Sequence, residues 1–234
     1  MPALSPKGEG LCLPSPRRER GLTGRSRDGM RKRRVHPLTA FWALCMVAGI
    51  VLMASFSYGM WKGHDDQQHL NQQWRYEVGT RDAIPKAIDP KLKRPVDGMD
   101  FAIRIPKLDY FAAIREGIDS GVLYSGPGHY PATRWPGDPG TVGVAAHNVY
   151  WINFPQLAKG DEIDLETRYG AYRYQVTRTE IVDPDNRTAL VTDENGYHLT
   201  LTTCWPLWAG AFATQRYIIH TDQVWPVPVR PGYT

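Results

Sequence analysis

Between Pro37 and Trp61 the chain reads PLTAFWALCMVAGIVLMASFSYGMW, 25 residues without Asp, Glu, Lys, Arg or His. A helix of about 20 apolar residues crosses the hydrocarbon core of a bilayer. A helix of this length packed on a soluble core would show a polar face, and this run has none. A cleaved signal peptide is the rival. Its apolar region is usually about 7–15 residues and ends at a small-residue cleavage site. The run here is longer and lacks a clear A-x-A, so residues 37–61 read as an uncleaved transmembrane signal anchor.

Charge gives the orientation. Arg17, Arg18, Arg20, Arg25, Arg27, Arg31, Lys32, Arg33 and Arg34 precede the run, and Lys62, Asp65 and Asp66 follow it. Positive flanks stay cytoplasmic, so the C-terminal part is expected outside the cell membrane, held by a single span. Residues 1–61 carry 10 Lys and Arg against 3 acids; residues 62–234 carry 18 against 21, a net charge of about −3. The basic cluster is therefore a topology signal, and no nucleic-acid partner is expected.

Residues 1–36 form a basic tail whose first 29 residues are rich in Pro, Gly and Arg and show no apolar periodicity. Such a segment cannot bury a core and is expected to be disordered. Met30, followed at once by RKRRVHPLTAFW, could serve as the true start; mass spectrometry of the native N-terminus tests this. Residues 62–100 are polar, with HDDQQHLNQQW and then Pro85, Pro90 and Pro95. They read as an extracytoplasmic stalk: a short helix, then an extended linker.

From Phe101 the texture changes. FAIRIPKL, DEIDLETR, AYRYQVTRTEIV, YHLTLTTC and RYIIHTDQVW alternate or enrich β-formers, and GTVGVAAH suits a buried strand. Gly, Pro, Asn and Asp punctuate them, and YG at 169–170 reads as a turn. Many short strands at close spacing predict an all-β barrel or sandwich over residues 101–234. DSGVLYS and NFPQLAKG are expected as short helical turns.

Cys12 lies in the tail and Cys45 inside the span, so Cys204 has no exported intrachain partner for a disulfide. A free thiol is often a buried packing group. Context argues otherwise. In residues 198–204, Leu199, Leu201 and Thr203 take one face, and His198, Thr200, Thr202 and Cys204 the other. Cys204 thus ends a strand on the more polar face, and Pro206 prevents the ladder from continuing. An accessible nucleophile fits that position. After the 11-residue stretch WPLWAGAFATQ, Arg216 opens the next strand. Antiparallel pairing would set Arg216 beside Cys204, where a fixed cation can favour a thiolate or steady an oxyanion.

A thiol nucleophile needs a base. His198 lies six residues back along the same strand, about 20 Å away at 3.3 Å per residue, and His220 lies about 13 Å beyond Arg216. His147 ends the strand GTVGVAAH in a position like that of Cys204. His129, in GPGHYP, lies in a loop that the sequence does not place. His147 and His129 both remain open on these grounds, with His147 the better positioned.

LTLTTC resembles the sortase signature Thr-Leu-x-Thr-Cys, which falls on Thr200, Leu201, Thr202, Thr203 and Cys204. GPGHYPATRWPGDPGTVGVAAH resembles the segment leading to the family's catalytic His. LAKGDEIDLETRYGAYRYQV is similar to the strand pair after it, and RYIIHT to the strand bearing the family's Arg. The likeness covers about residues 100–222 and is nearest to the class D and class E sortases. It implies a closed, roughly eight-stranded β-barrel with short helices. It implies a membrane-anchored cysteine transpeptidase that cleaves an LPxTG- or LAxTG-like sorting motif between Thr and Gly through a thioacyl-enzyme. Cys204 would be the nucleophile, His147 the acid and base, and Arg216 the group holding substrate and oxyanion. The partners implied are proteins with a C-terminal sorting signal and an amine acceptor, either a peptidoglycan precursor peptide or a pilin Lys. Thr203 would add a hydrogen bond to substrate, and Trp205 and Trp208 would line a peptide groove or cap the barrel. One departure stands out: relatives often carry Arg after the catalytic His, and this chain carries Asn148.

No cofactor is expected. Asp183, Asp185, Asp193 and Glu194 could hold calcium, but surface turns favour Asp regardless, and zinc spacing is absent. The rival enzyme is an exported L,D-transpeptidase-like protein. Its Ser/Thr-x-Gly-Cys with Arg two residues on does not match Thr-Thr-Cys with Arg twelve on. The non-enzyme rival is an anchored β-domain scaffold with an incidental thiol.

Overall fold

A computed structural model gives the protein's structure; it describes residues 37–78, 89–186, 190 and 195–226. The basic tail, with Met30 and Cys12, lies outside the described residues, as do Asp193 and Glu194. The chain divides into two compact units, Met1–Ala48 and Gly49–Thr234. The described part of the first is the opening of helix α1 (Pro37–Val78). That helix is long and apolar enough to cross a membrane.

Eight strands close into a barrel: β1 (Met99–Ile105), β2 (Tyr110–Glu116), β3 (Gly128–His129), β4 (Gly140–Ala145), β5 (Glu162–Thr167), β6 (Gly170–Val182), β7 (Tyr197–Trp205) and β8 (Gln215–Trp225). Their order around the barrel is β1-β2-β3-β4-β7-β8-β6-β5. The turn expected at Tyr169–Gly170 falls one residue earlier, at Arg168–Tyr169, and joins β5 to β6; the two expected helical turns are α2 (Ser120–Ser125) and a 3-10 turn at Phe154–Gln156. Asp119 starts α2 by accepting from the N–H groups of Gly121 and Val122 (2.8 and 3.1 Å), the usual way an N-cap side chain satisfies orphan donors.

Phe101, Ile103, Ile114, Val142, Val144, Ile163, Leu165, Leu199 and Leu201 fill the barrel and are essentially solvent-free. Closure gives every strand a neighbour on both sides, but the pairing is unequal around the ring. β3 pairs with β2 only at Arg115 and Glu116, so the outer backbone of β2 from Phe111 to Ala113 lacks a strand partner on that side. Helix α1 supplies the partner. The Asn71 carboxamide donates to the Phe111 carbonyl (3.2 Å) and accepts from the Ala113 N–H (2.7 Å). Gln67 Nε2 donates to the Ala113 carbonyl (3.1 Å) and to Asn71 Oδ1 (2.8 Å). One turn on, Trp74 is 1 % exposed and lies under the Arg168 guanidinium at 4.7 Å.

The polar segment after the apolar run is therefore no free stalk as far as Val78. It is helix, and its docking face is Gln67, Asn71 and Trp74, spaced to share one side of a helix. Amide side chains read as solvent-facing in a sequence; here they stand in for a missing strand. Replacing Asn71 with Leu should leave two backbone groups unpaired and cost about 1–3 kcal/mol. The check is the denaturant midpoint of the full chain in detergent, together with faster hydrogen exchange at the Ala113 amide. An unchanged Ala113 amide would remove this role.

Candidate active site

The strand-end cysteine and the strand-opening arginine meet. β7 and β8 are antiparallel, and Cys204 pairs in register with Arg216. Directly opposite residues on antiparallel strands project to one face with Cβ atoms about 4.5–5.5 Å apart. β4 runs parallel to β7, with Ala145 level with Thr202. The ladder goes one step further through Ala146 N–H to the Thr202 carbonyl (3.2 Å). The same register carried to the next residues sets His147 level with Cys204. The ends of β4 and β7 and the start of β8 thus gather His147, Cys204 and Arg216 at one rim, and all three are half-buried and open to solvent.

Thr203 fixes this junction. It is buried, and its hydroxyl donates to the Ala146 carbonyl at 2.9 Å. The bond ties the residue before Cys204 to the residue before His147. The hydroxyl proton is thereby engaged inside the protein, leaving only acceptor capacity for a ligand. Beyond His147 the chain turns sharply, with Tyr150 N–H donating to the His147 carbonyl (3.0 Å). Asn148 in that turn is buried and donates to the Leu207 carbonyl at 2.7 Å. It pins the start of the β7–β8 loop to the histidine's own loop. Nothing in the sequence flagged this bond beyond the departure at Asn148.

Burial holds the His147 imidazole below its ordinary 6.5, because removing water disfavours the charged ring. Arg216 makes one hydrogen bond among the described residues, Nη1 to the Gln215 carbonyl at 3.2 Å, and no ion pair there. A surface arginine neutralised by an acid would look different. Its remaining donors have no protein partner among the described residues.

The other histidines are engaged elsewhere. His129 is 2 % exposed. Its Nδ1 lies 2.7 Å from Asp100 Oδ2, and its Nε2 faces the Arg134 carbonyl at 3.1 Å and the Thr133 hydroxyl at 3.2 Å. Phe101 and Trp135 meet its ring edge-on. With both nitrogens engaged, it is a packing group and no base for Cys204. His198 pairs with Asp222 (2.8 Å) and His220 with Glu180 (2.7 Å).

Trp205 stacks on Tyr217 with ring centroids 5.5 Å apart; by alternation it shares the Thr203 face of β7, opposite Cys204, and packs against the barrel core. Trp208 is 86 % exposed. It lies in the 3-10 stretch Leu207–Phe212, which breaks at Gly210 with φ +54°. Among the described residues no cluster of three His, Cys, Asp or Glu is placed to hold a metal ion.

A family model described as the sortase domain matches residues 103–224. Sortase D of Bacillus subtilis is 31 % identical over 148 residues, covering 62 % of this chain and 75 % of that protein. Among solved structures, the Sortase D5 transpeptidase of Clostridium perfringens is similar with a TM-score of 0.57 at 21 % identity, over 68 % of this chain and 99 % of that one. Sortase C-1 of Actinomyces oris is similar with a TM-score of 0.52 at 21 % identity, over 70 % and 97 %. These structural likenesses establish the barrel.

Proposed function

The chain belongs to the sortase family, and from that premise we propose that it is a membrane-anchored cysteine transpeptidase. The observation that carries the proposal is the register pairing Cys204 with Arg216, with His147 brought level by the β4–β7 ladder. Cys204 passes its thiol proton to His147, and its Sγ attacks the carbonyl carbon between Thr and Gly of an LPxTG- or LAxTG-like motif. The C–S bond forms, and the oxygen takes negative charge in front of the Arg216 guanidinium. As the C–N bond breaks, His147 gives a proton to the departing Gly amine. An incoming amine, from a peptidoglycan precursor peptide or a pilin Lys, then attacks the thioester and loses its proton to His147. A new amide bond replaces the C–S bond. Side chains supply every proton and charge, so the reaction needs no cofactor. The basic residues before the span hold the N-terminus in the cytoplasm and the barrel outside.

Acid–base help of this kind is worth about 10²–10⁴-fold, and aligned cations at a developing oxyanion add to it. Both depend on position. Thr203→Val removes the Thr203–Ala146 bond and should slow turnover by up to about 100-fold, the scale of a misplacement near 1 Å. Thr203→Ser keeps the hydroxyl and should restore most of the rate. Equal kcat values for the valine and serine variants would deny the bond a role in catalysis.

The direct test uses the full chain in detergent with LPxTG- and LAxTG-type peptides and an amine. Mass spectrometry should find an acyl adduct on Cys204 that the amine resolves. A well-folded chain whose thiol stays inert to all these peptides would favour a scaffold. An adduct released only to water would mark a hydrolase.

A further inference from the structure

The rim that carries His147, Cys204 and Arg216 is joined by contacts to the end of the apolar run. Gly63 lies two residues beyond Trp61, about 3 Å along a helix. A Cβ on Gly63 would meet the Tyr124 carbonyl at 2.6 Å and the Tyr150 hydroxyl at 2.8 Å, so helix and barrel touch backbone to side chain there. Gly59, inside the apolar run, is likewise closed off by the Tyr124 hydroxyl. Tyr150 donates in turn to the Tyr124 carbonyl, and its own N–H is bonded to His147. Asn148 then reaches Leu207. An unbroken series of contacts thus leads from the last turn of the apolar run to the loop after Cys204.

The surface along that path is apolar. The helix from Ile50 to Trp61 exposes its large side chains, and charge begins at Lys62. On the barrel, residues 148–158 and 205–215 contain no charged residue. These two loops expose Val149, Ile152, Trp208 and Phe212, the last at 88 %. Tyr124 joins them, half exposed. Tryptophan and tyrosine are enriched where a protein meets lipid headgroups, because each ring is apolar with one polar atom that must stay wet.

We propose that this corner of the barrel lies against the headgroups of the chain's own membrane, with Trp208 and Phe212 entering the interface. The partner is a lipid surface, and its identity follows from position: the bilayer that covers Ile50–Trp61 ends where Gly63 meets Tyr150. The proposal rests on the reading of α1 as a membrane span. It extends the proposed function by turning the Cys204 groove toward the headgroups, so that the site meets substrates at the membrane surface.

The test places the full chain in nanodiscs of phosphatidylglycerol and phosphatidylethanolamine, with and without lipids brominated along the acyl chain. Tryptophan emission is compared for wild type, Trp61→Phe and Trp208→Phe. The share of emission lost in Trp208→Phe should be quenched by brominated lipid about as strongly as the share lost in Trp61→Phe, and should resist acrylamide. A Trp208 share that acrylamide quenches and brominated lipid does not would overturn the proposal. So would a Trp208 share shielded only after an LPxTG-type peptide is added, which would assign that side chain to the peptide groove. Loss of quenching from the Trp61 share would instead overturn the span itself. Acylation of Cys204 in detergent is read separately, so failure of the chemistry and failure of the membrane contact are distinguishable.

Discussion

Replacing Cys204 with alanine is expected to abolish both the acyl adduct and amine transfer while the barrel stays folded. Removing the atom that forms the covalent bond leaves no alternative route, and the loss should be on the order of 10⁵–10⁶-fold, the scale found when a covalent nucleophile is deleted. The fold should survive because Cys204 is half-buried at the last turn of the ladder before Pro206. Its backbone pairing with Arg216 does not involve the sulfur. A single sulfur removed from such a position costs about 1 kcal/mol or less. Cys204→Ser keeps the volume and should be nearly as inactive, since an alcohol beside His147 is a far weaker nucleophile than a thiolate. The chain has two other thiols, Cys12 and Cys45. An adduct that persists in the alanine variant and maps to either would make the acylation nonspecific and remove Cys204 from the mechanism.

The pairing behind this expectation was legible because it is local. A hairpin fixes which residues face each other, so a cysteine ending one strand and an arginine opening the next could be matched from the sequence. His147 needed one more condition, that its strand end at the same rim as β7. The parallel β4–β7 ladder meets it, but nothing within either segment announces it. His129 could not be placed at all, because its partner Asp100 lies 29 residues away at the start of the barrel. Alternation along β7 suggested a polar face through Thr200 and Thr202. Both are buried, and Thr202 bonds the Tyr130 hydroxyl at 3.0 Å. β7 is an inner strand whose outer face is covered by the segment after β3, and a threonine can serve such a face while reading as polar. The docking of α1 escaped for the same reason. Gln67 and Asn71 look like solvent residues until a strand edge is found beneath them.

Replacing His147 with alanine should reduce turnover by about 10²–10⁴-fold, with binding of the sorting peptide largely kept. In the proposed mechanism the ring moves the proton at both amine steps, so its loss should fall on kcat more than on KM. Burial favours the uncharged ring and holds its titration below 6.5. A midpoint below 6.5 should therefore appear for His147 when its ring protons are followed by NMR in the Cys204→Ala protein. The same shift links to stability with a fixed sign. A ring that is harder to protonate when folded contributes stability above its unfolded value of about 6.5. That contribution fades as pH falls through the lowered folded value. His147→Gln should lose this part of the acid dependence. In catalysis, the titration of His147 forms one limb of the pH–rate profile, and that limb should vanish in His147→Ala while the residual rate follows the remaining group alone. A midpoint at or above 6.5, or a profile with both limbs intact in the alanine variant, would move the acid–base role to another residue.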